Sequence, residues 1–167
     1  QLSGTKVRVI QNASGVCNPI AVFAGSSRTS NPIGCGSGGG DNDNQQLFPY
    51  HAWGKKYLTA PFAGSSSASS FGTSSYRVVV ADATTIVRRN GTILTGLNNN
   101  FYYFESNTAD FIESDKPIQV VQFMTGGSCL GTGGLGDPEM IVLSPIEQAI
   151  KSVGFYKNDE ESISKNY

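Results

Sequence analysis

This sequence contains few of the residues on which catalytic and metal-binding sites are usually built. It has one histidine, His51, and three cysteines, Cys17, Cys35 and Cys129, with no Cys-x-x-Cys pair. Zinc sites are normally assembled from several histidines or paired cysteines, so that class of site is disfavoured. No Gly-x-Ser-x-Gly motif occurs, and only His51 could serve as a histidine base. The chain is therefore predicted not to be an enzyme, and no cofactor is implied.

Charged residues are also scarce, and the two signs are balanced. They make up 15% of the chain, with 12 Lys and Arg against 13 Asp and Glu. A nucleic-acid-binding or membrane-surface protein normally carries a clear excess of basic residues. No stretch comes near the ~20 apolar residues that a membrane-spanning helix requires. We therefore expect no nucleic-acid partner and no insertion into a membrane.

Glycine and short β-strand patterns, in contrast, are abundant. The chain contains 20 glycines. Asn90-Gly91 lies between two alternating runs, which predicts a type I′ hairpin with Arg89 facing Thr92 and Val87 facing Leu94. The only helix candidate is 145–151. Short β-branched or aromatic runs occur at 5–10, 20–23, 76–81, 101–104, 109–113, 117–123 and 140–143.

These patterns predict an all-β fold. An antiparallel β-sandwich, jelly-roll-like or Ig-like, fits many short strands joined by turns. A propeller-like array is the alternative, because eight strands also make two four-stranded blades.

The strand patterns also suggest an internal repeat. Pro19-Ile20-Ala21-Val22-Phe23 resembles Pro117-Ile118-Gln119-Val120-Val121, and a Gly-rich loop with acidic residues follows each motif. Repeat units of about 95 residues are the interpretation. The predicted boundaries are 1–60 for the second half of one unit, 61–75 for a Gly- and Ser-rich linker, 76–157 for a complete unit and 158–167 for the start of a further strand or a tail.

The cysteines are predicted to form one disulfide, between Cys17 and Cys35. A loop of this size contributes ~3 kcal/mol in the chain-entropy treatment. Cys129 would then stay free or pair outside the chain. A disulfide is typical of an extracellular protein, and we expect the chain to be secreted or displayed at the cell surface.

Two long Gly-rich segments, 24–46 and 124–139, are the predicted ligand-binding loops. Asp41, Asp43, Asp137 and Glu139 would supply hydrogen-bond acceptors on a rigid scaffold. A spacer role without a ligand is the alternative for both loops. Asp41-Asn42-Asp43-Asn44 also begins like an EF-hand loop, but the Gly at position 6 and the Glu at position 12 are missing, which favours a solvated turn over a calcium site.

Trp53 is the next candidate for ligand binding. Together with Tyr50, Tyr57, Tyr102 and Tyr103 it could form a platform on which sugars stack. Aromatic residues at strand spacing are more often part of the core, and this second interpretation is the favoured one for the set.

Several motifs in a fixed order complete the sequence pattern. They are Pro19-Ile20-Ala21-Val22-Phe23-Ala24-Gly25, Trp53-Gly54-Lys55, Tyr76-Arg77-Val78-Val79, Ser114-Asp115-Lys116-Pro117-Ile118-Gln119-Val120, Gly136-Asp137-Pro138-Glu139-Met140 and Ser144-Pro145-Ile146-Glu147-Gln148. The series resembles the N-terminal domain family of the IgGFc-binding protein. The resemblance implies a secreted, β-rich domain that binds or adheres rather than catalyses. It implies no site residues, and IgG binding does not follow from it.

Three functions are to be distinguished for a chain with these features. A non-catalytic extracellular binding or adhesion module, with a protein or glycan ligand on an extracellular surface, is the predicted function. A carbohydrate-binding module is the alternative. A hydrolase is the least favoured, because no pair of carboxylates is marked out by the sequence.

Overall fold

The structure, a computed structural model, describes residues 3–29, 41–62, 72–130 and 138–154. The regular structure of these residues is almost entirely antiparallel β-strand, which confirms the predicted all-β fold class. Among them, helix is limited to a four-residue α1 (Gly127–Leu130) and two 3-10 turns (Tyr50–Ala52 and Ile146–Gln148). The strands are β1 (Phe23–Thr29), β2 (Asp41–Gln46), β3 (Gly54–Thr59), β4 (Ser74–Val80), β5 (Val87–Arg89), β6 (Thr92–Ile93), β7 (Phe101–Ser106), β8 (Asp110–Phe123) and β9 (Met140–Val142).

The large sheet is organised around β8, which has 14 residues and four neighbouring strands. Its first half pairs with β3 on one side and β5 on the other. Its second half pairs with β4 and β9. Ile118 opposes both Gly54 and Val80, and Val121 opposes both Arg77 and Val142. It follows that β3 and β9 flank one side of β8, while β4 and β5 flank the other.

The main core lies on one face of this sheet. Tyr57 is anchored there: its hydroxyl donates to the Ile118 carbonyl at 2.6 Å and accepts from the Gly54 N–H at 3.1 Å. Burial, the largest influence, raises the pKa of Tyr57 to about 12, so the hydroxyl remains a donor under all ordinary conditions. The buried members of this core are Tyr57, Tyr76, Val78, Val80, Val87, Tyr102, Ile112, Ile118 and Val120.

The opposite face of β8 is also covered near its end. Val121 and Phe123 point away from the main core, because successive side chains of a strand alternate between faces. They form a second buried cluster with Val142, and Phe48 and Met140 pack against it. Phe48 follows β2, and β2 lies against β9. The two-stranded sheet of β1 and β2 is thereby attached to the second face of the large sheet.

The predicted Asn-Gly hairpin is confirmed in detail. Arg89 is paired with Thr92, and the Leu94 N–H donates to the Val87 carbonyl at 2.9 Å. Asn90 and Gly91 have φ values of 50° and 82°, as a type I′ turn requires.

The strand predictions at the N-terminus are wrong. Residues 5–10 and 20–22 form no regular structure, and β1 begins only at Phe23. Val7 and Ile10 are exposed at 60% and 74%, because the described residues place no strand beside them. A strand pattern without a pairing partner leaves its backbone groups to water. The predicted strand at 20–23 is thus limited to its last residue.

Other differences concern the limits of elements. The strands predicted at 109–113 and 117–123 are one continuous strand, β8, and the helix candidate is a single turn at Ile146–Gln148. β2 and β3 were not predicted.

The repeat motifs have different structures. Pro117 lies within β8, whereas Pro19 precedes β1. β3, which comes before the predicted linker, pairs with β8, which comes after it. The repeat and the domain boundaries therefore stay predictions. No helix among the described residues is long and apolar enough to cross a membrane.

Candidate functional site

The segment 24–46, predicted as a long loop, is in part a two-stranded ribbon. β1 and β2 pair antiparallel from Phe23 opposite Gln46 to Thr29 opposite Asp41, with an irregularity after Ser26. Most side chains of the ribbon that the structure describes are exposed and polar. Arg28 is among them. The ribbon thus presents a polar surface of its own beside the large sheet.

Asp43 is the exception on the ribbon, because only 4% of it is exposed. Its Oδ2 accepts a hydrogen bond of 2.7 Å from the Thr29 hydroxyl, across the ribbon. Its Oδ1 is buried without a hydrogen-bond partner among the described residues. Asp43 was predicted to face a ligand on an open loop; the structure places it inside.

Arg77 of β4 lies opposite Val121 of β8, on the second face of the large sheet. Its Cζ is 5.3 Å from the ring centre of Phe101 in β7 and 5.1 Å from that of Phe123 in β8. Both distances are within the range of cation–π attraction. The guanidinium is therefore held by one ring from each neighbouring strand.

No hydrogen bond of the Arg77 side chain is found among the described residues, and its Nε is buried without a partner. Burial lowers the pKa of Arg77, and the charges of Tyr103 and Asp43 offset part of that effect. An arginine nevertheless keeps its charge at neutral pH. The second face thus holds a fixed cation whose Nε–H has no hydrogen-bond partner among the described residues.

A second arginine-aspartate pair lies at the other end of the sheet. Arg89 Nε is 2.9 Å from Asp110 Oδ1, and the Asp110 side chain is completely buried. Asn90 Nδ2 donates to the same oxygen at 2.7 Å, and Arg89 Nη2 donates to the Ser106 hydroxyl at 3.0 Å. The Arg89 Cζ is 4.6 Å from the ring centre of Phe104. This cluster fastens the Asn90-Gly91 hairpin to β8.

The aromatic residues do not form one platform. Tyr57 and Tyr102 belong to the main core, as the favoured interpretation predicted. Trp53 and Tyr50 are in contact, with ring centres 5.3 Å apart, and Trp53 Nε1 donates to the Phe48 carbonyl at 3.2 Å. Tyr50 is 54% exposed. The fifth member, Tyr103, is partly exposed, and its hydroxyl donates to Glu105 Oε1 at 2.6 Å. The surface part of the predicted set is thus the edge-to-face Tyr50–Trp53 pair and Tyr103.

The other predicted ligand-binding residues are spread out. Asp41 opens β2 opposite Thr29. Glu139 is exposed, and its carbonyl accepts from the Met124 N–H at 2.9 Å. Asp137 lies outside the described residues. Of the predicted site residues whose burial is described, Asp43 alone is buried.

The predicted disulfide between Cys17 and Cys35 is wrong, because Cys17 forms no disulfide. Cys17 is exposed and carries a free thiol. It lies in the irregular segment that precedes β1. Cys35 lies outside the described residues. Cys129, which was expected to be free or paired outside the chain, is disulfide-bonded.

Arg77 was not predicted as a site residue. Its neighbours Tyr76, Val78 and Val79 form an ordinary strand pattern, and Arg77 reads as an outward-facing position of that strand. Only the register with β7 and β8 brings Phe101 and Phe123 next to it. The single signal in the sequence is a basic residue within an otherwise apolar run. Among the described residues, no group of three or more possible metal ligands exists, so the calcium alternative at 41–44 gains no support.

Comparison with known proteins gives one match. A family model described as IgGFc binding protein matches residues 1–167, the whole chain. No curated protein and no solved structure matches the chain.

Proposed function

The chain belongs to the IgGFc-binding protein family, and from that premise we propose that it is a non-catalytic, extracellular binding module for a protein partner. The description of the family names a protein ligand, the Fc part of immunoglobulin G. The all-β scaffold with a protruding polar ribbon supports binding through a surface. The observation that carries the proposal is the ribbon of β1 and β2, which is separate from the large sheet and mostly exposed.

The ribbon is suited to contact a partner because its inner side is already fixed. Phe48 packs against the cluster around Phe123, and β2 lies against β9, so the outer side chains of the ribbon need little further ordering on binding. A contact surface held in place in advance loses less conformational entropy when it binds. The polar character of Ser26, Arg28 and Asn44 fits the rim of a protein interface.

A sugar ligand receives less support from the site. Carbohydrate stacking needs exposed ring faces, and two of the five candidate rings are buried in the core. The Tyr50–Trp53 pair and the partly exposed Tyr103 are the members of that set that remain available. We therefore place the contact on the ribbon, with the Tyr50–Trp53 surface as the test case for sugars.

The first experiment measures binding of the 167-residue chain to purified IgG Fc and, separately, to a glycan array. Arg28→Glu reverses an exposed charge on the ribbon and should weaken a protein contact by about tenfold, which corresponds to about 1.4 kcal/mol. Arg8→Glu is the matched control, because Arg8 is also exposed but lies outside the ribbon. Equal effects of both variants would place the contact away from the ribbon.

A selective glycan hit that Tyr50→Ala abolishes would overturn the protein-partner proposal in favour of a carbohydrate-binding module. Absence of Fc binding alone would redirect the search to other extracellular proteins. In that case the same pair of charge-reversal variants applies to each protein tested.

A further inference from the structure

The ribbon of β1 and β2 has the same closing hydrogen bond as the pair of β8 and β9. The Leu47 N–H donates to the Val22 carbonyl at 2.9 Å, and the Leu143 N–H donates to the Val120 carbonyl at the same distance. Val22 and Val120 are the valines of the two Pro-Ile-x-Val motifs. Each leucine directly follows the second strand of its pair. One two-strand arrangement is therefore built at two places in the chain, each time from the same motif.

The chain also continues in the same way after each of these bonds. A proline with extended backbone precedes a 3-10 turn of three residues in both places: Pro49 precedes Tyr50–Ala52, and Pro145 precedes Ile146–Gln148. Motif, strand pairing and turn thus recur in the same order. It follows that β1 corresponds to the last residues of β8. Residues 5–22, called the N-terminal segment below, then correspond to the earlier part of β8.

The N-terminal segment nevertheless lacks the neighbours that β8 has. Ile118 and Val120 of β8 are completely buried, and β4 places Val80 and Val78 opposite them. Ile20, which corresponds to Ile118, is 54% exposed. No strand among the residues that the structure describes is paired with the segment. Further large apolar side chains of the segment are more than half exposed: Val7, Ile10 and Val16.

We propose that the N-terminal segment is an interaction surface for another unit of this same β fold, which pairs a strand equivalent to β4 with it. Such a strand covers the exposed apolar side chains and also bonds the free backbone groups. A helix would cover the side chains but leave the backbone unpaired. By the register of β4 on β8, the equivalents of Val80 and Val78 lie opposite Ile20 and Val22. The inference goes beyond the protein partner proposed for the ribbon and does not depend on it.

The test supplies such strands within one chain. A second copy of residues 72–108, which contains β4 to β7, is joined through a flexible Gly-Ser linker to the N-terminus of the intact chain. Amide hydrogen exchange of residues 18–22 is then compared in the extended and the unextended chain. Exchange should be about 100-fold slower in the extended chain, because the amides of a paired strand exchange only when the pairing opens.

Two substitutions in the segment show whether the added strands recognise the motif. Ile20→Lys should leave the urea midpoint of the unextended chain unchanged, because the side chain is exposed there. In the extended chain it should return the exchange of residues 18–22 to the unextended rate. Ala21→Lys is the matched control. Its side chain points to the opposite face, and its counterpart in β8 is the polar Gln119, so the slow exchange should be retained.

Three outcomes would overturn the inference. The first is equal exchange of residues 18–22 with and without the added strands, and the second is slow exchange already present in the unextended chain. The third is slow exchange that survives Ile20→Lys, since the added strands would then not pack on the motif. The effect of Arg28→Glu on partner binding is measured in the unextended chain, so the proposed function and this inference can fail separately.

Discussion

Two arginine-aspartate pairs lie at opposite ends of the large sheet and differ in one respect. Both arginines stack on phenylalanine rings, and both aspartates are buried. Arg89 and Asp110 are in direct contact at 2.9 Å, with Asn90 donating to the same carboxylate. Arg77 and Asp43 are not in contact. Both pairs leave a buried carboxylate oxygen without a hydrogen-bond partner among the described residues, Asp110 Oδ2 and Asp43 Oδ1, but the charge of Asp110 is compensated by its ion pair with Arg89.

Removing the direct pair should have the largest effect on stability. Asp110→Asn deletes the charge that compensates Arg89 and disturbs the hydrogen bond from Asn90. Breaking a buried pair on one side is strongly destabilising, although Arg89 keeps some solvent contact. We expect a loss of about 2–3 kcal/mol in the free energy of unfolding, measured by urea denaturation.

Asp43→Asn is the matched change in the separated pair, and it should cost less than about 1 kcal/mol. No direct ion pair is lost there, and an oxygen remains for Thr29. Equal losses in the two variants would mean that both pairs are structural, and the contrast between them would disappear.

The pH dependence of stability should follow the direct pair. Burial opposes ionisation of Asp110, but hydrogen bonds from Arg89, Ser106 and Asn90 outweigh it and lower the pKa of this carboxyl below its ordinary value. A lowered pKa in the folded state gives stability that is complete above the unfolded pKa of about 3.9 and is lost as the pH falls through the folded value. The wild type should therefore lose stability below about pH 4 more steeply than Asp110→Asn.

Urea titrations at several pH values between neutral and strongly acidic conditions measure that difference. Subtracting the variant from the wild type removes the contributions of Asp82 and Glu147, whose pKa values are also lowered. Parallel curves for the two proteins would contradict the assignment of acid sensitivity to Asp110.

The surroundings of the Arg89–Asp110 pair could be predicted from the sequence. The surroundings of Arg77 and Asp43 could not. Asn90-Gly91 specifies its own turn, so the hairpin and its register followed from local chemistry. Arg77, Phe101 and Phe123 come from three different strands, and only the pairing of β4 with β7 and β8 unites them. Asp43 was noticed for its charge, but its burial depends on how the ribbon packs. Local patterns specify turns well, whereas contacts between distant strands depend on register.

The same dependence on partner strands explains why the strand predicted at 5–10 does not form. Residues 5–10 have the alternation of a strand, but a strand exists only when a neighbour accepts its hydrogen bonds. The sequence does not state which neighbours the fold supplies. The incorrect disulfide prediction for Cys17 has the same origin, since the spacing of cysteines in the sequence does not specify which of them are close in space.

Substitutions at two glycines compare the stability of the ribbon with that of the Asn90-Gly91 hairpin. A Cβ added to Gly25 would clash with the Asp43 carbonyl, whereas one added to Gly91 would meet nothing within 4 Å. Gly25→Ala should therefore separate the ribbon strands and cost about 2 kcal/mol through overpacking. Gly91→Ala should cost about 1 kcal/mol, because only the positive φ is unfavourable.

Urea denaturation gives both values, and amide hydrogen exchange locates the damage. Gly25→Ala should accelerate exchange in β1 and β2, and Gly91→Ala in β5 and β6. Faster exchange throughout the large sheet in the Gly25 variant would show that the ribbon is not a separate unit of stability.

The smallest effect is expected from Cys17. A covalent link at Cys17 would be a rival explanation for the position of the ribbon, because the residue lies shortly before β1. Its thiol is free, so Cys17→Ser should change the free energy of unfolding by less than about 0.5 kcal/mol. A loss near 3 kcal/mol, the value for a disulfide closing the loop from 17 to 35, would restore that explanation.

Peptide mapping without reduction checks the chemistry directly. Cys17 should be alkylated, and since the chain has three cysteines and Cys129 is bonded, Cys35 is the partner we expect for Cys129. A cross-linked peptide containing Cys17 would contradict both expectations, and the position of the ribbon would then depend on a covalent bond.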